Sequence, residues 1–124
     1  MPVPILKQGD MLIASIQAAL SDHDLVELRE ELTSRVGFLR ARGVVIDVTS
    51  LDVLDSFATR TIRGIAYAVK LRGAETVVVG IQPAVAYSMV QLGLTLENIA
   101  TALDLEEGVD VLNRLLSTRS GRGR

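Results

Sequence analysis

The chain has 124 residues, of which 48% are apolar and 23% charged, and its formal net charge is −2. This size is typical of one domain, and the apolar content suffices for a packed core, which excludes a disordered body. The negative charge and the 3% content of aromatic residues argue against a nucleic-acid-binding protein, which needs a basic surface and stacking platforms. Without any cysteine, disulfides and cysteine nucleophiles are excluded. No apolar run approaches the roughly 18 residues of a membrane span, so we expect neither a membrane segment nor a secretion signal.

Strands and helices are predicted to alternate from the N-terminus onward. Residues 3–7 and 11–17 are expected to form a hairpin that turns near Gly9. The next segment, residues 21–42, has apolar residues every three or four positions, which predicts a helix that Gly43 ends in a left-handed conformation. The β-branched run at residues 44–48 is continuous, which is typical of a strand buried on both faces.

The second half of the chain repeats this alternation. A helix opens at Asp55 or Ser56 and ends at Gly73, and a buried strand follows. Pro83 then begins a third helix, because proline is tolerated in the first helical turn, and Gly93 ends this helix. The remaining segments are predicted as a short edge strand within residues 95–105, an amphipathic helix over about 106–116 and a flexible basic tail over 118–124.

These elements predict one α/β domain over residues 1–117. We expect a mixed central β-sheet, with an N-terminal antiparallel hairpin followed by parallel strands, packed with about four α-helices.

A search for catalytic chemistry finds little. The single histidine, His23, is expected on a solvated helix face, and no cluster of ligands has a metal-binding spacing. Residues 80–83 join a strand to a helix but lack both the dinucleotide fingerprint and the lysine of a phosphate-binding loop. Asp47, Asp52 and Asp55 lie close in sequence, and we interpret the second as a turn residue and the third as a helix cap rather than as magnesium ligands. The sequence therefore predicts no catalytic residue, no cofactor and no metal site.

Ser56 has two interpretations. A serine after an aspartate at a helix start is commonly structural, since its hydroxyl caps the helix. If Asp55 supplies the cap instead, Ser56 occupies the first helical position with a free hydroxyl. Phe57 follows directly and is either a core residue or part of a contact surface.

Three runs, in the predicted order of elements, resemble the STAS domain family of anti-sigma factor antagonists. These are GVVIDVT at residues 43–49, LDSF at residues 54–57 and GIQPAVA at residues 80–86. Within that family, two further runs are similar to the RsbS type, the small stand-alone proteins of the bacterial stressosome. They are PILK at residues 4–7 and TALDLE at residues 101–106. The resemblance extends to about Leu116.

This resemblance implies a regulatory protein that catalyses nothing. It implies that Ser56 is the phosphorylated residue, with Thr59 as a secondary candidate, and that partners contact the helix start at Asp55, Ser56, Phe57, Thr59 and Arg60. The implied partners are an RsbR-type STAS protein, an RsbT-type serine/threonine kinase and a resetting phosphatase. They would assemble with the chain as homo- and hetero-oligomers in a large cytoplasmic complex, without nucleic acid or membrane.

Three alternatives remain open at this point. One is a SpoIIAA-like anti-anti-sigma factor that binds an anti-sigma kinase as a monomer or dimer. Another is a nucleotide-binding α/β module or small enzyme, against which the missing phosphate-binding loop counts. The last is a structural subunit in which Ser56 serves only as a cap.

Overall fold

Five strands and four helices alternate in the computed structural model, which describes residues 3–17 and 20–122. The strands are β1 (Ile5–Gln8), β2 (Met11–Ser15), β3 (Gly43–Asp47), β4 (Glu75–Val79) and β5 (Ala100–Ala102). The helices are α1 (Asp22–Leu39), α2 (Ser56–Leu71), α3 (Pro83–Gln91) and α4 (Leu105–Arg122). Among the described residues, no helix combines the length and apolar character needed to cross a membrane.

The strands form one sheet in the order β1-β2-β3-β4-β5. The first pair is antiparallel, and its turn at Gly9 and Asp10 has Gly9 at a φ of 62°, a left-handed conformation that suits glycine. All other neighbouring strands are parallel. The predicted α/β fold, with its hairpin, parallel strands and short edge strand, is therefore confirmed.

Side chains from the two faces of the sheet form two separate apolar cores. The larger core contains buried residues of α1, α2 and α3 packed against alternate residues of the central strands, and the smaller one includes Leu112 of α4. In β3, Val44 and Ile46 belong to the larger core and Val45 to the smaller, and all three are fully buried. The prediction that this strand is covered on both faces is confirmed.

The first helix, α1, is capped by the Ser21 side chain at its start, but it does not end at the residue that the sequence predicts. The Ser21 hydroxyl accepts a bond from the Asp24 amide, and the Asp24 carboxylate accepts one from the Ser21 amide, both at 3.1 Å. This second bond holds the pKa of Asp24 below its ordinary value. At the other end, Arg40 is the left-handed residue, with a φ of 53°. The expectation that Gly43 stops this helix is wrong: Gly43 starts β3.

Gly43 lies where the sheet and α4 pack closely. A Cβ at this position would be 3.0 Å from Leu112 Cδ1 and 3.3 Å from Met11 Cγ. At Gly43 the glycine therefore allows α4 to approach the sheet closely. Gly73 and Gly93 differ, because they have φ values of 95° and 70° and follow α2 and α3 as predicted.

The last helix, α4, is longer than its apolar pattern predicts. We predicted its end near Leu116, followed by a tail, but the backbone stays helical to Arg122. The apolar stripe does stop at Leu116, and the helix continues because each further residue adds a hydrogen bond to a helix that already exists. Residues 123 and 124 of the expected tail lie outside the described part of the chain.

Candidate functional site

The chain leaves the carboxyl end of β3 through a loop, residues 48–55, that leads to α2. At the start of the loop, the Val48 amide donates to the Val79 carbonyl at 3.0 Å, and the Leu51 amide donates to the Val48 carbonyl at 3.0 Å. Leu54, near its end, is buried in the larger core. The loop is thus anchored at both ends, and the exposed side chains between them include Ser50, Asp52 and Val53.

Asp55 is the residue that caps α2. It has an extended backbone with φ and ψ of −79° and 179°, and its Oδ1 accepts a hydrogen bond from the Ala58 amide at 2.7 Å. The Asp55 carbonyl accepts the Thr59 amide at 3.0 Å. Of the two starts considered from the sequence, Asp55 is therefore the cap and Ser56 the first helical residue.

The Ser56 side chain is exposed, and its hydroxyl has no hydrogen-bond partner among the described residues. It lies at the positive end of the α2 dipole, where an added anion is tolerated. Arg60 is also exposed and follows one helical turn later, on the side of α2 that carries Ser56. Phe57, which follows Ser56 in the helix, is half-buried.

Thr59 does not belong to this surface. Its side chain is 1% exposed, and its hydroxyl is buried without a hydrogen-bond partner among the described residues. The helical period explains the difference, because Thr59 stands beside Ala58 and Ile62 on the buried side of α2. This burial counts against the prediction that Thr59 is a partner contact and a secondary site of modification.

A cavity of about 300 Å³ adjoins the start of α2. Its lining combines apolar side chains with three acidic residues, Asp22, Asp52 and Asp55. It is lined by Ile16, Leu20, Asp22, Leu25, Leu51, Asp52, Val53, Asp55 and Ala58. The site therefore combines an accessible serine with a concave surface, which suits contact with another protein.

The loop is also bonded to the turn between β4 and α3. Thr49 donates to Asp47 Oδ1 twice, from its amide at 2.9 Å and from its hydroxyl at 2.6 Å. The Thr49 carbonyl in turn accepts a hydrogen bond from Gln82 Nε2 at 2.7 Å. These bonds join two of the three runs that carry the family resemblance.

His23 and the acids Asp47 and Asp55 each have a local partner. His23 is exposed, as expected, and its Nε2 lies 3.3 Å from Glu27 Oε2. In residues 3–17 and 20–122, no group of three or more histidines and acids is arranged to hold a metal ion. Asp47 is engaged by Thr49 and Asp55 by the helix it caps, so two of the three loop acids have structural hydrogen bonds.

Sequence reasoning missed the bond between Thr49 and Gln82 and the cavity beside α2. No spacing rule connects residues 33 positions apart, because only the parallel pairing of β3 with β4 brings the ends of these strands together. The one available signal was that both residues fall within runs shared with a known family.

Comparison with known proteins agrees with this fold. RsbT co-antagonist protein RsbRA of Bacillus subtilis (strain 168) is 33% identical over 82 residues, which are 66% of this chain and 30% of that protein. The chain spans about a third of the length of the curated relatives it matches.

Two solved structures are similar over nearly the whole chain. RsbS of Moorella thermoacetica, in a serine-to-glutamate variant, superposes with a TM-score of 0.80 at 38% identity and covers 93% of this chain and 97% of its own. A structure described under the molecular architecture of the stressosome superposes with a TM-score of 0.76 at 39% identity, and the match covers 91% of this chain and 98% of the other. The profile of the STAS domain matches residues 3–108, and the chain therefore belongs to the STAS domain family.

Proposed function

We propose that this chain is a non-enzymatic regulatory and scaffold protein of a bacterial stressosome. In this proposal it binds an RsbT-type serine/threonine kinase and releases that kinase when Ser56 is phosphorylated. The observation that carries the proposal is the exposed Ser56 hydroxyl at the first position of α2, which has no hydrogen-bond partner in the described part of the chain. A kinase needs such a hydroxyl, and Asp55 leaves it free by capping the helix alone.

The charges around Ser56 indicate where a phosphate would act. A phosphoserine carries about −1.5 to −2 charges at pH 7, which the start of a helix accommodates. Asp52 and Asp55 oppose it, and Arg60 is the nearest cation along α2. Attraction and repulsion inside the domain therefore offset each other, and the larger effect falls on a partner that must pack against the new charge.

The similar proteins support the same assignment. The serine-to-glutamate change in RsbS replaces a serine of that protein by a negatively charged side chain. Phosphorylation of Ser56 would likewise place negative charge at a serine position of this chain. RsbRA is named as a co-antagonist of RsbT, which suggests a kinase of the RsbT type and an RsbR-type STAS protein as partners. We extend the proposal to homo- and hetero-oligomers in a large cytoplasmic complex and to a phosphatase that resets Ser56.

The decisive experiment is incubation with an RsbT-type kinase and ATP, followed by site mapping and a binding assay. We expect one phosphate per chain, on Ser56, and none on Ser56→Ala. Ser56→Asp should keep the fold and weaken kinase binding at least tenfold, or by about 1.4 kcal/mol. Ser50→Asp is the matched control, because Ser50 is exposed in the same loop but outside the helix. Stoichiometric phosphorylation of Ser56→Ala would show that the assignment is wrong.

The main alternative is a SpoIIAA-like antagonist that binds an anti-sigma kinase. Native mass separates the two. A megadalton particle formed with an RsbR-type partner supports the scaffold, whereas a stable one-to-one complex with an anti-sigma kinase supports the antagonist.

A further inference from the structure

Two sequence runs, residues 43–49 and 80–86, are not explained by phosphorylation of Ser56, yet they meet in the structure. The contact is a chain of hydrogen bonds from Asp47 through Thr49 to Gln82. Thr49 is held by two bonds to one carboxylate oxygen, which leaves its carbonyl pointing to Gln82 Nε2 at 2.7 Å. This chain of bonds is called the loop clasp below.

Gly80 allows the clasp to close. It has a φ of 82°, and a Cβ here would overlap the Thr49 hydroxyl and stand 3.1 Å from the Thr49 Cα. The backbone of the turn after β4 therefore packs directly against the backbone of the loop that leads to Ser56.

The Gln82 side chain bonds to the neighbouring loop and does not cap its own helix. It is the cap residue of α3, with φ and ψ of −65° and 148°, but its side chain forms no cap hydrogen bond. A Ser, Thr, Asp or Asn at this position ordinarily accepts a hydrogen bond from an amide of its own helix. Here its amide group reaches the neighbouring loop instead.

We infer that Thr49 and Gln82 are positioning residues that hold the loop in the conformation in which Ser56 is presented to its kinase. The inference rests on the proposed function. Neither residue touches Ser56; they act on the first part of the loop, whereas the buried Leu54 and the capping Asp55 secure its last part. Ser50, Asp52 and Val53 between these two points are exposed, and the clasp adds to the hold that the Val48 amide bond and the half-buried Leu51 already have on the loop.

The clasp lies at the surface, which separates positioning from stability. Thr49 is exposed and Gln82 is half-buried, so water can replace the lost bond when Gln82 is changed. Removing the clasp should therefore alter the loop while the two cores stay intact.

The test compares Gln82→Ala and Gln82→Glu with Gln91→Ala as the matched control. Gln91 is an exposed glutamine at the last residue of the same helix. With an RsbT-type kinase and ATP, we expect kcat/KM for Ser56 phosphorylation to fall at least fivefold in both Gln82 variants, mainly through kcat. KM should change less than twofold, because the docking surface is unaltered. Gln91→Ala should behave as the wild type.

The conservative pair Thr49→Ser and Thr49→Val tests the other end of the clasp. The serine keeps the hydroxyl that bonds Asp47 and should keep the rate, whereas the valine loses it and should slow phosphorylation. Amide exchange at residues 50–54 provides a readout that does not depend on the kinase, and it should be at least fivefold faster in Gln82→Ala than in Gln91→Ala.

The outcomes separate this inference from the function on which it rests. Lack of phosphate on wild-type Ser56 would overturn the proposed function. Normal phosphorylation of the wild type with an equal rate in the Gln82 variants would overturn the positioning role alone, whether or not exchange in the loop becomes faster.

Discussion

Helices α2 and α3 begin in equivalent places, each at the carboxyl end of a parallel strand, but their first residues are used differently. Asp55 precedes α2 and Gln82 precedes α3, and both have an extended backbone. The Asp55 side chain caps its own helix at 2.7 Å. The Gln82 side chain instead bonds Thr49 in the neighbouring loop, also at 2.7 Å.

This difference shows how one position in a fold serves two purposes. At α2 the aspartate meets the local need of the helix, which frees the following serine for chemistry with a partner. At α3 proline occupies the first helical position, where its missing amide is tolerated, and the glutamine before it makes a tertiary contact instead of a cap. The two helix starts are thereby linked, since the loop held by Gln82 leads to Ser56.

The largest expected effect comes from breaking the close approach that allows this link. Gly80→Ala should destabilise the domain by about 3 kcal/mol, because a left-handed conformation and an overlap with Thr49 both oppose a Cβ. Gly93→Ala is the control, since Gly93 has a φ of 70° but nothing within 4 Å of the added atom. It should lose only about 1 kcal/mol. Urea unfolding measures both, and equal losses would show that the approach to Thr49 is unimportant.

A smaller effect should distinguish the two cap residues themselves. Asp55→Ala removes a side-chain cap and should cost about 1 to 2 kcal/mol of unfolding free energy. Gln82→Ala removes no cap and should cost less than about 0.5 kcal/mol, as is typical of surface changes. Thermal or urea unfolding under one buffer condition provides the comparison. If Gln82→Ala destabilises the domain as much as Asp55→Ala, the proposed division between capping and positioning is wrong.

A change of the opposite sign is expected at Thr59. Thr59→Val should stabilise the domain by about 1 kcal/mol, because it removes a buried hydroxyl that has no partner among the described residues and keeps the side-chain shape. Thr61→Val in the same helix is the control. Its hydroxyl donates to the Phe57 carbonyl at 2.8 Å, so this change should bring no gain. Unfolding curves that rank the two variants in the reverse order would contradict the expectation.

Much of the fold could be predicted because the signals are local. The periodic apolar residues of α1 and α2, the β-branched run of β3 and the glycines after α2 and α3 each act within a few residues. Errors arose where a local rule had two meanings. Gly43 was interpreted as a helix stop, but it allows the close packing of α4 on the sheet. The end of α4 was placed too early because the apolar stripe stops before the helix does.

The sequence alone determined that Ser56 stands at a helix start after an aspartate, and that the chain resembles the STAS family. Short-range capping and periodicity suffice for the first, and shared runs for the second. Only the tertiary structure decided that Ser56 is exposed whereas Thr59, three residues later, is buried. Burial depends on which side of α2 meets the sheet, and the contact of Thr49 with Gln82 depends on the pairing of β3 with β4. Such long-range placement leaves no trace in the spacing of residues along the chain.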